Sequence, residues 1–363
     1  MRMVVTGGGT GGHLFPGLAV ARAALTLDNT TRVLYIATPR SMDQMVLRSE
    51  PFECTTIRGS GLKGVGLAGT LQSLFIQPLA VFDAWRLLRR FRADIVVAVG
   101  GYVTGPVVFA ARLLGIPVCV HEQNAVPGLA NRLAGRLASV ICTSIPCGEY
   151  FPADKVVQTG NPVRREILQS VRQVSTANRK KPTVLVLGGS QGAHRVNELM
   201  VEAAVLLHQR GVALEIIHQT GEKDMAMVQR TYEEAGVVAT VCSFFSDMAD
   251  RYSQADIVVS RAGATTLAEL AVTGLPALLI PYPHAADNHQ LGNAHYYARL
   301  GGCEVFEQQQ TEPAVLAARL QELLADCEQR ERMGACMRSA ATPEATKNIL
   351  KQCQMLVQKR TVT

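Results

Sequence analysis

Aromatic residues make up only 5% of this 363-residue chain, with no interleaving of basic and aromatic side chains. That argues against a nucleic-acid groove built on stacking platforms. The nine cysteines contain no CxxC pair and are odd in number. Neither a zinc ribbon nor a disulfide framework is expected; reduced, mostly buried thiols in a cytosolic protein fit better. No apolar run reaches the roughly eighteen residues of a membrane-spanning helix. The nearest stretch, Leu67 to Trp85, is interrupted by Gln72, Gln77, Pro78 and Asp83. There is no DxD pair to hold a divalent metal on a nucleotide diphosphate and no Cys/His ligand cluster, so no metal or other cofactor is expected. The excess of one charge sign is small too. A net +6 with a pI near 8.9 suits phosphorylated substrates or an anionic membrane surface without singling out either. The first strand is already under way at Met3, so no signal peptide is expected.

What is present is glycine at strand ends. With 48% hydrophobic residues, the length allows two α/β domains with buried parallel strands. Met3 to Val5 reads as a strand running into Thr6-Gly7-Gly8-Gly9-Thr10-Gly11-Gly12-His13 and then a helix over Leu18 to Leu25. Gly7, Gly9 and Gly12 satisfy GxGxxG at a strand-to-helix junction, where backbone N–H groups can approach an anion. A dinucleotide fold also wants an acidic residue ending its second strand. That strand, Arg32 to Ala37, ends instead in Thr38-Pro39-Arg40, and the first acid, Asp43, falls in the next helix. NAD is disfavoured; Arg40 leaves NADP formally open. Asp94 to Val99 runs into a second glycine turn, Gly100 to Pro106, and Pro117 to His121 into His121-Glu122-Gln123-Asn124. Polar groups at the carboxyl ends of parallel strands are where open α/β sheets bind ligands. Strands over Val140 to Thr143 and Val156 to Thr159 close this half, and Arg165 to Lys181 reads as a linker.

The pattern then restarts: strand Thr183 to Leu187, turn Gly188-Gly189-Ser190-Gln191-Gly192-Ala193, helix Val196 to Leu207, strands Ala213 to His218 and Val238 to Cys242. The most informative stretch follows, Ala255 to Ala294. Strand Ile257 to Ser260, a turn carrying Gly263, helix Thr265 to Val272 and strand Ala277 to Pro281 make a β-α-β unit. Its helix start favours an anion. Glu269, about one turn inside, can accept from both hydroxyls of a ribose whose phosphates rest on that start. The loop His284 to Gln290 is rich in groups that hydrogen-bond hydroxyls. Without a metal, the charge of a leaving phosphate falls to helix starts and to arginine. Arg164 is the candidate; its alternative is a hinge salt bridge.

Within the first half lies a glycine-rich loop, Arg58 to Thr70, and then an amphipathic helix pair over Leu71 to Arg90, interrupted at Pro78. Phe75, Leu79, Phe82 and Trp85 share one surface, with Arg86, Arg89, Arg90 and Arg92 at its end. These side chains either face the core or form a monotopic patch that dips into lipid beside anionic headgroups. The tail, Pro313 to Gln358, is helical and its last helix is expected to pack back on the first domain.

Seven segments, GGGTGGHLFP, GGYVTGP, HEQNAVPG, GNPVR, GGSQGA, SRAGATTLAE and the ADNHQ loop, occur in order from residue 6 to about 294. Together they closely resemble the MurG family, the undecaprenyldiphospho-muramoylpentapeptide β-N-acetylglucosaminyltransferases. The second-strand end, Ala37 to Asp43, departs from that family's usual Gly-Thr…Gly-x-Glu. The resemblance implies a GT-B fold: two Rossmann-like doubly wound parallel-sheet domains facing across a cleft. Residues 1–163 with a returning helix 343–363 would bind acceptor and membrane, and residues 164–342 would bind the donor. It implies inverting transfer of GlcNAc from UDP-GlcNAc to the C4 hydroxyl of lipid I, giving lipid II. Location would be peripheral, on the cytoplasmic face of the bacterial inner membrane, with anionic phospholipid and other cell-wall enzymes as neighbours.

Carried onto this sequence, Ala264, Thr265, Thr266, Leu267, Ala268 and Glu269 would hold diphosphate and ribose. Ser190 and Arg164 would touch the diphosphate, Phe245 would present its backbone to uracil, and His289 and Gln290 would read the sugar. Thr10, Gly11, Gly12 and Asn124 would line the sugar and acceptor side. Gly100, Gly101, Tyr102, Thr104 and Gly105 would cradle the lipid diphosphate. The resemblance also moves Phe75, Leu79, Phe82 and Trp85 toward the membrane reading. An inverting displacement needs one general base, for which His13 is the choice because imidazole titrates near neutrality. Its alternative role is to hold acceptor phosphate or backbone, and Glu122 is the second candidate base. His121, His194, His208, His218 and His295 are expected to be structural. Three rivals stand beside the transferase: a UDP-GlcNAc 2-epimerase-like isomerase of the same fold, a dinucleotide oxidoreductase, and a non-catalytic nucleotide-sugar-binding scaffold.

Overall fold

The computed structural model describes residues 1–28, 30–58, 67–170, 181–189 and 192–362. In chain order the elements begin β1 (Arg2–Gly7), α1 (Gly11–Leu27), β2 (Arg32–Ala37), α2 (Ser41–Leu47), β3 (Glu53–Thr56), α3 (Leu67–Phe91) and β4 (Ile95–Gly100). Next come α4 (Thr104–Leu113), β5 (Val118–Glu122), α5 (Leu129–Leu137), β6 (Val140–Thr143), β7 (Val156–Gln158) and α6 (Arg165–Ser170). Then follow β8 (Thr183–Leu187), α7 (His194–Gln209), β9 (Glu215–Gln219), α8 (Met225–Ala235), β10 (Ala239–Cys242), α9 (Met248–Gln254) and β11 (Ile257–Ser260). The chain closes with α10 (Ala264–Thr273), β12 (Ala277–Leu279), α11 (His289–Arg299), β13 (Cys303–Val305), α12 (Pro313–Ala325), α13 (Cys327–Ser339) and α14 (Ala345–Val362).

These elements fall into two compact units, Met1–Val163 with Thr342–Thr363, and Arg164–Ala341. The first holds a seven-stranded sheet in the order β3-β2-β1-β4-β5-β6-β7 and the second a six-stranded sheet in the order β10-β9-β8-β11-β12-β13. Every pairing described is parallel. Each sheet reverses its winding once, between β1 and β4 and between β8 and β11. Such switch points leave a crevice at the strands' carboxyl ends. This is the doubly wound Rossmann-like pair expected from the repeated strand–glycine–helix pattern.

Strand side chains alternate between faces, and the first unit uses both. Val4, Leu34, Ile36, Val96 and Ala98 pack with the buried stripe Ala80, Ala84 and Leu88 of α3. Met3, Val5, Val33, Tyr35, Ile95 and Val97 pack with Leu14 and Leu18 of α1 and with Ile349, Leu350 and Cys353 of α14. The second unit buries α7 and α12 against β8, β9 and β11 around Val186, Leu199, Ile216, Val259 and Leu320.

Three differences from the sequence expectation follow from packing. The helix pair is one helix, α3, running through Pro78. The missing donor costs about 3 kcal/mol, but Ala80, Ala84 and Leu88, spaced i, i+4, i+8, are buried against α4 on its far side. The start of the supposed linker is helical: α6 buries Ile167 and packs on α9 and α10. Strands β3 and β13 went unread, being three or four residues long and only half apolar.

Candidate functional site

In the first unit the two glycine loops interlock at the switch point. A Cβ on Gly101 would lie 2.5 Å from the Gly8 carbonyl, and one on Gly100 would lie 2.6 Å from His13 Cδ2. Gly100 sits at φ +109, where L side chains are rare, so glycine is required there twice over. The His13 ring therefore rests directly on the second loop, and its Nδ1 shares a hydrogen bond with Thr10 Oγ1 at 3.1 Å. Thr10, Gly11, Gly12, His13, Gly100 and Gly101 are thus brought together, with Tyr102, Thr104 and Gly105 leading into α4.

The first loop also carries an anion of its own. Asp43 is fully buried and its Oδ2 accepts from the Gly9 N–H at 2.8 Å and from the Thr38 hydroxyl. A carboxylate standing where a dinucleotide's pyrophosphate would need that N–H is a physical argument against NAD or NADP here. Sequence reading counted Asp43 only as an acid too late for ribose.

Glu122 is 1% exposed. Its Oε1 accepts from the Asn124 N–H and Nδ2 at 2.9 and 3.1 Å, and its Oε2 from Asn131 Nδ2 at 2.8 Å. Burial raises its pKa, while these donors pull the other way. Its oxygens are spent holding Asn124 and Asn131. Beside it, Gln123 Nε2 donates to the Val99 carbonyl and to His121 Nδ1, and His121 donates through Nε2 to the Gly160 carbonyl. Burial lowers the His121 pKa to about 4, so the imidazole is a neutral brace.

The second unit places the candidate anion-binding helix start at its own switch point. Helix α10 begins at Ala264 behind Gly263, which offers no side-chain cap, so its first-turn N–H groups, at the positive end of the helix dipole, have no capping side chain. The Thr265 hydroxyl, buried at this start, has no hydrogen-bond partner. The helix ends with Gly274 at φ +71, where Gly274 N–H donates to Ala271 and Leu275 N–H to Leu270, a Schellman closure. After β8, Gly192 is closely packed: a Cβ there would lie 2.3 Å from the Thr220 carbonyl. Ser190 lies outside the described residues.

Glu269 is 4% exposed on α10. Arg164 donates to it through Nε at 2.9 Å and Nη2 at 3.2 Å, and the Tyr252 hydroxyl donates to Oε2 at 2.8 Å. The packing of α6 on α9 and α10 brings these three together. Arg164 therefore makes the salt bridge that stood as its alternative, with the candidate ribose carboxylate itself as partner. Phe245 is 5% exposed, and its N–H donates to Gln219 Oε1 at 2.9 Å. The Phe245 N–H is therefore already engaged within the chain. Gln219 Nε2 also donates to the Gly189 carbonyl, tying the Phe245 loop to the glycine loop. Tyr252, Gln219 and Asp43 were missed because no local motif marks a side chain whose partner is a distant backbone or carboxylate.

In the loop after β12, Asp287 and Asn288 both sit at positive φ, 54 and 51. Gln290 Oε1 accepts from the Tyr282 N–H at 2.9 Å and His289 Nδ1 donates to the Ala286 carbonyl at 2.8 Å. The chain itself thus occupies the Gln290 oxygen, so its NH₂ is the group that remains to donate.

On α3, Leu79 and Phe82 are 47% and 56% exposed. Phe82 stacks on half-buried Trp85, and Arg89 lies 5.2 Å over the Trp85 ring. Phe109 and Leu113 of the adjacent α4 are also exposed. The core reading fails for Leu79 and Phe82, which are exposed, and holds in part for Trp85; the buried face of α3 is formed instead by Ala80, Ala84 and Leu88, and the Phe75 side chain lies outside the described residues. Among the described residues no helix is long and apolar enough to cross a membrane.

The glycosyltransferase family 28 N-terminal domain matches residues 3–143 and the C-terminal domain of the same family matches residues 183–349. A UDP-N-acetylglucosamine–N-acetylmuramyl-(pentapeptide) pyrophosphoryl-undecaprenol N-acetylglucosamine transferase from Desulfotalea psychrophila is 45% identical over 98% of this chain and 97% of its own. The protein of that name from Anaeromyxobacter dehalogenans is 42% identical over 99% and 94%. Among solved structures, Acinetobacter baumannii MurG superposes with a TM-score of 0.80 at 34% identity, covering 98% of this chain and 99% of that one. A UDP-GlcNAc 2-epimerase from Neisseria meningitidis, solved with UDP-GlcNAc, reaches a TM-score of 0.68 at 16% identity over 98% and 100%, a likeness of fold alone.

Proposed function

The chain belongs to glycosyltransferase family 28, and from that premise we propose that it transfers GlcNAc from UDP-GlcNAc to the C4 hydroxyl of lipid I, forming lipid II. The observation that carries this is the 45% identity, spanning 98% of the chain, to a transferase named for that reaction. The epimerase likeness extends only to fold.

The anomeric carbon is attacked in line by the C4 oxygen. The new C–O bond forms as the bond to the β-phosphate breaks, and the electron pair leaves with UDP. The hydroxyl proton passes to His13 Nε2, Nδ1 being oriented by Thr10. We favour His13 over Glu122 because the latter is buried and its oxygens are committed to Asn124 and Asn131. The leaving diphosphate is met by the start of α10, by Ser190 and by Arg164, without a metal. Glu269 accepts from the ribose, the Phe245 carbonyl reads uracil, and the Gln290 NH₂ (with His289) reads GlcNAc hydroxyls. Asn124 and the Thr10-Gly11-Gly12 turn line the sugar, and Gly100 to Gly105 cradle the lipid diphosphate. Leu79, Phe82 and Trp85, rimmed by Arg86, Arg89 and Arg90, rest on anionic lipid at the cytoplasmic face of the inner membrane.

The test is radiolabelled UDP-GlcNAc with a lipid I analogue, with and without EDTA. Label is expected in a lipid-linked disaccharide, equally in both. Consumption of UDP-GlcNAc without acceptor would instead make the protein an isomerase, and loss of product with EDTA would refute the metal-free mechanism.

A further inference from the structure

The surroundings of Glu269 go a step beyond its assignment to ribose. A carboxylate offers about four acceptor positions. Arg164 takes one on each oxygen and Tyr252 takes a third. Two ribose hydroxyls need two positions, so one of these donors must give way. The donors are not equivalent. Tyr252 is 3% exposed within α9, and burial, reinforced by the Glu269 charge, holds its phenol well above the ordinary tyrosine range and therefore protonated. The Arg164 side chain is 29% exposed on a flexible stem.

We infer that Tyr252 is a positioning residue for ribose recognition. Its hydroxyl stays on Glu269 Oε2 and fixes the plane of the carboxylate, while the diol replaces the Arg164 guanidinium, which swings to the diphosphate. The carboxylate then meets the sugar in one orientation, and the nucleoside selects itself as a ribonucleoside by displacing a cation that its own phosphates attract. This rests on the reading of Glu269 given above.

The experiment compares UDP-GlcNAc with its 2′-deoxyuridine analogue as donors, using the full chain and a lipid I analogue. Wild type is expected to favour the ribonucleotide by about tenfold or more in KM, the worth of one hydrogen bond to a charged acceptor. Tyr252→Phe, which removes one oxygen, should raise KM for UDP-GlcNAc about tenfold and leave kcat within about twofold. It should also narrow the ribose preference to within about threefold, with folding checked by thermal unfolding. Arg164→Lys should weaken both donors alike and keep the preference. An unchanged preference in Tyr252→Phe, or a KM raised equally for both donors, would show a merely structural tyrosine and overturn the proposal. A preference lost in Arg164→Lys would overturn the exchange independently of how Tyr252→Phe folds. Absence of any preference in wild type would instead bring down the ribose reading of Glu269, and this inference with it.

Discussion

Replacing Glu269 with Ala removes the acceptor of three hydrogen bonds at once. The buried Tyr252 hydroxyl is left without a partner, at about 1–3 kcal/mol. Arg164 loses its ion pair, but its side chain is 29% exposed and can turn to water. That loss lies nearer the ~1 kcal/mol of an exposed pair than the 3–5 of a buried one. Together the cost is about 2–4 kcal/mol, a fall in melting temperature of roughly 4–16 °C for a unit of this size. Donor binding loses two hydrogen bonds to a charged group, about 1.5–3 kcal/mol each, less the roughly 1 kcal/mol of the Arg164 pair that the diol displaces in wild type, which raises Kd on the order of a hundredfold. The two effects separate in a thermal-shift titration with UDP. At a hundred times the wild-type Kd, wild type gains about 2.7 kcal/mol, whereas a hundredfold weaker variant gains only about 0.4. The variant should therefore melt lower and respond hardly at all to UDP, while keeping kcat within a few-fold at saturating donor. A variant that melts lower but rises with UDP as wild type does would make Glu269 a structural partner of Arg164 and Tyr252 and refute its role toward ribose.

His13→Ala should lower kcat by about 10²–10⁴ with little change in donor KM; normal turnover would remove His13 as the base. Gly100→Ala puts a methyl 2.6 Å from the His13 ring at φ +109 and should cut kcat at least about tenfold through His13. Gly115→Ala, at φ +63 with open space around it, should lose only about 1 kcal/mol of stability and no activity; equal activity losses in the two would refute the contact argument. Burial lowers the pKa of His121 and His218 to about 4 and about 3, below the roughly 6.5 of an unfolded imidazole. Their stabilising contribution is thus complete above about pH 6.5 and declines as pH falls, by about 2 kcal/mol each at pH 5. Glu122, its pKa raised by burial, works in the opposite sense and recovers stability as pH falls through its folded pKa. Urea midpoints should drop from pH 7 to pH 5, and His218→Gln should flatten that slope; a slope unchanged by the substitution would refute a neutral buried His218. Leu79→Ser with Phe82→Ser should weaken binding to anionic vesicles at least tenfold, from about 1.5–3 kcal/mol per apolar side chain, and spare turnover of a detergent-soluble acceptor. Unchanged vesicle binding would place the membrane contact elsewhere.

Local pattern carried much of this molecule. Apolar runs ending in glycine mark a strand that stops where the backbone must turn sharply, and two such series in one chain already imply two doubly wound sheets. The helix start at Gly263 and the carboxylate at Glu269 were legible for the same reason, because both lie within one β-α-β unit and a helix turn is a fixed distance. The stretch around Trp85 was legible as amphipathic, but not which of its faces is buried. Only the packing of α3 on α4 decides that Ala80, Ala84 and Leu88 turn inward while Leu79 and Phe82 stay outside.

Partnership was not legible. Arg164 and Glu269 are 105 residues apart and meet because α6 lies on α10. Asp43 reaches the first glycine loop across 34 residues, and Gln219 reaches Phe245 across 26. His13 lies on Gly100 because β1 and β4 pair in parallel. A hydrogen bond is decided within a few tenths of an ångström, and sequence periodicity holds that accuracy only along one element. By itself the order of residues settled which chemical groups the protein has and which strand ends carry them. The folded chain settled which group each one touches, and so which of them remain to meet a substrate.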